Sequence, residues 1–122
     1  VGFGAVVGAL PAFATVRDLG RHLRAKKVSS TELTKLYLSR LAKYDPVLSC
    51  AVTVTSDLAL AQAKRADEEL AAGKDRGPLH GIPWGAKDLI AVPGYPTTWG
   101  SVPFEAQVRP ETATVIARLR QG

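Results

Sequence analysis

The sequence predicts an α/β fold, on three observations. Two segments open with helix-capping residues and continue with apolar residues at helical spacing; Cys50 to Thr55 is β-branched and bounded by turn formers; and Gly81 to Ile90 alternates with the period of two that a strand requires. At 122 residues, with 46% hydrophobic and 22% charged residues, the chain has the length of about one small domain and a globular composition. That excludes a multidomain enzyme within these residues. No apolar run approaches the roughly 18–20 residues of a membrane-crossing helix. The single cysteine excludes an internal disulfide, and the absence of methionine leaves Val1 without the character of an initiator, so the chain is expected to be processed or cut from something longer.

Val1 to Ala14 is uncharged and ends in Ala12-Phe13-Ala14, a small-x-small pattern, so it reads as an exported leader's remnant or as an apolar strap packed on a larger body. Gly2, Gly4 and Gly8 superficially resemble a dinucleotide-binding turn, but Pro11 interrupts the helix that such a turn must open. Thr15, with Asp18 three residues on, caps a short helix carrying Val16, Leu19 and Leu23. Ser29 and Glu32 form a capping box for a second helix, whose stripe of Leu33, Leu36, Tyr37, Leu41 and Tyr44 is expected to stop at Asp45-Pro46. Cys50 to Thr55 is expected to be a strand. Ser56-Asp57 then caps a helix with a narrow face of Ala59, Ala63, Ala66 and Leu70, ending at Gly73. From Lys74 to Gln107 glycine and proline crowd the chain around one strand, Ile82 to Ile90. Glu111-Thr112 opens a last helix through Val115, Ile116 and Leu119 to Gly122.

Formal charge is +5, and it is concentrated. Residues 16–44 hold Arg17, Arg21, Arg24, Lys26, Lys27, Lys35, Arg40 and Lys43 against Asp18 and Glu32. The plain reading is a solvated helix face. The competing one is a small basic binding module that contacts phosphates through these helices, whose binding would weaken steeply with salt.

Within Gly81 to Ile90, period two puts Ile82, Trp84 and Ala86 on one face and Gly85, Lys87 and Leu89 on the other, with Asp88 directed away from Lys87. A lysine on an apolar strand ordinarily keeps its ammonium in water. The sharper reading is that Lys87 is buried, where desolvation yields a neutral amine able to take a proton or form a Schiff base, the latter testable by borohydride trapping. Cys50 reads as a small buried hydrophobe rather than a nucleophile. His22 and His80 lack ligand-like neighbours, so no metal site is indicated, and His80 is expected to shape the turn before the strand.

Gly77-Pro78-Leu79-His80-Gly81-Ile82-Pro83, then Ala86-Lys87-Asp88-Leu89-Ile90, then Thr97-Thr98-Trp99-Gly100-Ser101 occur in the order and at the spacing of the amidase signature family, and residues 15–122 resemble the first third of that family. The resemblance implies residues 15–122 as the N-terminal portion of an amidase domain, with a mixed central sheet flanked by helices and incomplete here. It implies hydrolysis of an amide bond, or transfer of its acyl group, by a Ser, cis-Ser, Lys triad through an acyl-enzyme. Lys87 matches the family's lysine. The serines of this chain, Ser29, Ser30, Ser39, Ser49, Ser56 and Ser101, lack the Gly/Ser-rich context of the family's two, so this chain is expected to carry the lysine alone and to be inactive by itself. Two readings of Thr97, Thr98, Gly100 and Ser101 stand open: a loop beside the substrate, by resemblance, or a turn capped by hydroxyls. The resemblance implies no cofactor and a small-molecule amide substrate, with a subunit of a tRNA amidotransferase included. Localisation hangs on residues 1–14 and is left open between cytoplasmic and, if they are a leader remnant, exported.

Overall fold

A computed structural model describes residues 13–121. Helix α1 runs Val16–Arg24, and Thr15 caps it as expected: its hydroxyl accepts from the Asp18 N–H while the Asp18 carboxylate accepts from the Thr15 hydroxyl and N–H. The Thr15 hydroxyl first, and then Arg21, hold the Asp18 carboxyl down to about 2. The helix closes with Lys26 in the left-handed region, its N–H donating to Leu23 and that of Lys27 to His22. Ser29 and Glu32 repeat the reciprocal cap at the start of α2, Ser30–Leu48. Helix α3 is Ser56–Ala71, and past it the N–H groups of Gly73 and Lys74 donate back to Leu70 and Glu69.

The described chain divides into two compact units. One holds the residues up to Cys50 together with Thr55–Pro83; the other holds Ala51–Val54 and the chain from Trp84 onward. In the first, Leu19, Leu23, Val28 and Leu33 form a buried cluster with Ala14, Leu70 and Ile82 against it. Each of the buried leucines and Val28 contributes about 1.5–3 kcal/mol by burial. Helices α2 and α3 pack on one another, and a carboxylate fixes how: Asp67 of α3 accepts from the N–H groups of Ser30 and Thr31 at 2.6 and 3.0 Å and from the Thr31 hydroxyl at 2.7 Å. The first turn of α2, which has no intrahelical acceptors for its N–H groups, is thereby capped from a neighbouring helix. Ser30 also donates to the Gly81 carbonyl at 2.8 Å. Gly81 has φ +79°, and a Cβ there would lie 3.3 Å from Leu23 and 3.4 Å from Ser30, so no other residue suits this crossing.

Arg24 and His80 secure the chain between α3 and Gly81. The Arg24 guanidinium grips Asp75 with two bonds of 2.7 and 2.8 Å and donates to the Gly77 carbonyl. His80, 1% exposed, accepts at Nδ1 from the Arg76 N–H, so its proton sits on Nε2, 3.1 Å from Glu69 Oε2 but out of line for a good hydrogen bond. Burial, and next the Arg76 charge, push the His80 imidazole below its ordinary value. His80 therefore shapes its turn, as expected, and does so as a buried neutral base.

Several expectations are corrected. Among the described residues no segment is a strand, and the one β pairing is an isolated antiparallel bridge between Pro96 and Val108. Cys50 to Thr55 and Ile82 to Ile90 are irregular: β-branching and alternation make a strand only where a neighbour supplies a hydrogen-bonding ladder, and neither segment has one here. The mixed central sheet is thus absent from the described residues. Helix α2 runs through Pro46 to Leu48 rather than stopping before it; a proline this close to the end forfeits one bond, and Ser49, left-handed at φ 49°, closes the helix by donating to Asp45. The third helix is preceded by Thr55, which makes no side-chain cap, so Ser56-Asp57 does not cap it. The last helix, α4, is Thr114–Leu119 and starts after Glu111-Thr112. Cys50 is exposed, not buried. The leader or strap lies almost wholly outside the described residues, as does Gly122.

Replacing Asp67 by alanine is expected to cost about 2–3 kcal/mol in urea unfolding, since it strands two N–H donors at a helix start, with Asp67→Asn intermediate. Because the His80 value is lowered in the folded state, its contribution is present above the ordinary histidine value of about 6.5 and is lost as pH falls through the lower folded one. The urea midpoint should decline as pH falls below about 6.5, and His80→Gln should flatten that slope.

Candidate functional site

The segment from Trp84 carries the residues singled out by sequence. Lys87 does not lie on a strand face: its carbonyl accepts the Ile90 N–H at 2.9 Å, so it opens a tight turn, and its side chain is exposed. Burial of Lys87 within this chain is therefore corrected. The residue after it does the organising. The Asp88 carboxylate accepts from the Thr98 N–H at 2.8 Å and from the Thr98 hydroxyl, while the Asp88 carbonyl accepts from the Trp99 N–H at 3.0 Å. The Thr98 hydroxyl first, and then its N–H, hold the Asp88 carboxyl below the usual carboxylate range. Both Asp88 carboxylate oxygens are bonded to Thr98, which makes Asp88 a clamp rather than an acid or base.

The clamp fastens the chain at Lys87 to the loop of Thr97, Thr98, Gly100 and Ser101. Thr97 and Thr98 are buried, at 2% and 7% exposure. Thr97 exchanges bonds with Gln107, its N–H donating at 2.8 Å and its carbonyl accepting from Nε2 at 2.9 Å, beside the Pro96–Val108 bridge. Ser101 donates its N–H to the Thr98 carbonyl at 3.0 Å across Trp99 and Gly100, both at positive φ, the sign pattern of a type I′ turn. Gly100 donates its N–H to the Thr98 hydroxyl at 3.1 Å. The structure thus brings Lys87 and all four loop residues into one segment, with Thr98 as the hydroxyl that caps the turn. Ala113, which precedes α4, donates to the Ala91 carbonyl and ties the following chain to the same turn region. Sequence reasoning missed Asp88, because a strand register related it only to Lys87 and directed it away; an acidic residue ten positions before a Thr-x-Gly turn was the available signal.

The other candidates recede. The Cys50 thiol, although exposed, is pushed up first by its hydrogen bond with Asp45 and also by the Asp45 charge, which disfavours the nucleophilic thiolate. Among the described residues no group of three or more His, Cys, Asp or Glu side chains could hold a metal ion. In the basic region Arg21 is paired with Asp18 and Arg24 with Asp75, so two of the cations that a phosphate module would use are already neutralised.

The family model described as Amidase matches residues 32–122. The A subunit of glutamyl-tRNA(Gln) amidotransferase from Pseudomonas syringae pv. syringae is 44% identical over 105 residues, which is 86% of this chain and 22% of that protein. The same subunit from a Synechococcus species is 42% identical over 106 residues, 87% of this chain and 21% of that protein. Among solved structures, the peptide amidase of Stenotrophomonas maltophilia superimposes with a TM-score of 0.83 at 38% identity, over 90% of this chain and 23% of that one. The chain therefore spans about a fifth of the length of the curated relatives it matches.

Asp88→Ala is expected to leave α4 in place but to speed amide hydrogen exchange at Thr98 and Trp99 at least about tenfold, because their acceptor or its anchor is lost. With its carboxyl value lowered in the folded state, the wild-type clamp should hold at pH values above the ordinary aspartate range near 4 and loosen as pH falls through the lower folded value.

Proposed function

Because this chain belongs to the amidase family, we propose that it is the lysine-bearing part of an amide hydrolase that works through an acyl-enzyme. The observation that carries the reading is the clamped segment: Lys87, next to the Asp88 that holds the Thr98 turn. In the proposed reaction a neutral Lys87 amine takes a proton from a bridging serine, which takes one from a second serine as that oxygen attacks the substrate carbonyl. The carbon–nitrogen bond breaks, the proton leaves with the amine, and water then cleaves the acyl ester. Backbone N–H groups would hold the tetrahedral oxyanion.

Both serines belong to sequence outside this chain, since none of Ser29, Ser30, Ser39, Ser49, Ser56 and Ser101 has a suitable setting. Ser29 and Ser30 serve a helix start, and Ser101 closes the turn. Cover over the exposed Lys87, needed to make its amine neutral, comes from the same sequence. A second reading, in which the ammonia released from the amide is passed on to an acylated tRNA in a tRNA amidotransferase, is suggested by the named curated relatives and differs in the fate of the ammonia, the acyl-enzyme chemistry being the same.

In the full-length protein that carries this chain, Lys87→Ala and Lys87→Arg are both expected to lower kcat for amide hydrolysis by about 10³ or more, since a guanidinium does not surrender its proton. The 122-residue chain by itself should release no ammonia from the same amide. Activity of Lys87→Arg within tenfold of the parent, or turnover by the isolated chain, would overturn the assignment.

A further inference from the structure

Three described residues other than glycine have positive φ: Lys26, Ser49 and Trp99. Lys26 and Ser49 follow helices, where one left-handed residue closes the last turn. Trp99 has no helix to close. It occupies the first central position of the Thr98–Ser101 turn at φ 55°, a place that Asn, Asp and Gly normally fill, and an aromatic residue there is a genuine outlier. Nor is the strain fully offset by burial, because Trp99 is 48% exposed. Strain that burial offsets only in part is the pattern of a residue held for contact with a ligand.

The surroundings fix the ring rather than cover it. Phe104, from the short 3-10 turn Val102–Phe104, sits with its ring centroid 5.0 Å away at a tilt of 60°. The Arg109 guanidinium lies 5.8 Å from the indole centroid and is itself held by Glu111. From the backbone side, the Trp99 N–H is bonded to the carbonyl of Asp88, the residue that follows Lys87. A large flat surface is thus oriented at three points, half open, one hydrogen bond from the peptide next to the proposed proton acceptor.

We propose that Trp99 is a specificity-determining residue whose ring forms the stacking wall for a flat apolar or aromatic group on the amide substrate. This deepens the amide-hydrolase reading and rests on it. Aromatic faces favour offset or tilted contact with other flat groups, and Arg109 beside the indole holds the ring rather than the substrate. An aliphatic amide with no flat group gains nothing from such a wall.

The test compares kcat/KM for benzamide and for acetamide in the full-length protein, with Trp99→Gly and Trp99→Phe. Glycine accepts the left-handed conformation, so Trp99→Gly keeps the turn, and the urea midpoints of both variants separate a lost contact from a lost fold. The expected result is a fall of about tenfold or more for benzamide with acetamide unchanged within about twofold, and Trp99→Phe retaining most of the benzamide activity. An equal loss for both amides in Trp99→Gly, or no loss for benzamide, would overturn the inference while leaving the hydrolase reading intact. A parent protein that cleaves acetamide but not benzamide would likewise overturn it, whereas the hydrolase reading fails separately, on full activity in Lys87→Arg.

Discussion

A backbone N–H outside a regular ladder needs an acceptor, and in this chain side-chain carboxylates supply it. Asp18 and Glu32 receive the N–H groups just before α1 and α2; Asp67 receives two from the first turn of α2; Asp45 receives that of Cys50, Asp75 that of Gly77 and Asp88 that of Thr98. These are charge-assisted bonds, stronger than those between neutral groups. Where no strand is formed among the described residues, they do what sheet pairing does in other folds: they set the direction in which the chain leaves each helix and turn.

The parts of this arrangement that were legible in the sequence are those whose partners lie three residues apart. Thr15 with Asp18 and Ser29 with Glu32 could be read directly, because a reciprocal cap depends on local geometry alone. Asp67 could not, since its partners, Ser30 and Thr31, lie more than thirty residues away, and nothing local marks a carboxylate that caps a different helix. The strands failed for a related reason. Alternation in Gly81 to Ile90 and β-branching in Cys50 to Thr55 report what side chains prefer, whereas a strand exists only beside another. The error carried through to the site: the assumed pleat set Asp88 only against Lys87 and left it without a partner, while the real turn at Lys87 brings it to Thr98.

The site itself was legible through its motif and not through its physics. Lys87 and the Thr97–Ser101 loop were found by order and spacing, and the structure joins them by way of Asp88. What the residues alone suggested for Lys87, a desolvated amine on an apolar strand, is not its situation here, where the side chain is exposed. The tension is resolved by scale: the chain matches about a fifth of its curated relatives' length, and in our account the groups that desolvate the lysine and receive its help lie in the remainder. Trp99 fits the same account. Phe104 and Arg109 cover only part of its ring, and its strained backbone and open face become useful once a substrate lies against the turn.

The central claim is that Lys87 activates a serine that this chain does not contain. Its most direct test is to treat the full-length protein with a fluorophosphonate, which modifies activated serines, and to map the labelled peptide by mass spectrometry. The account predicts label on a serine outside these 122 residues, and strongly slowed labelling in Lys87→Ala. Label on Ser101 or another serine of this chain, or a labelling rate indifferent to Lys87, would contradict it.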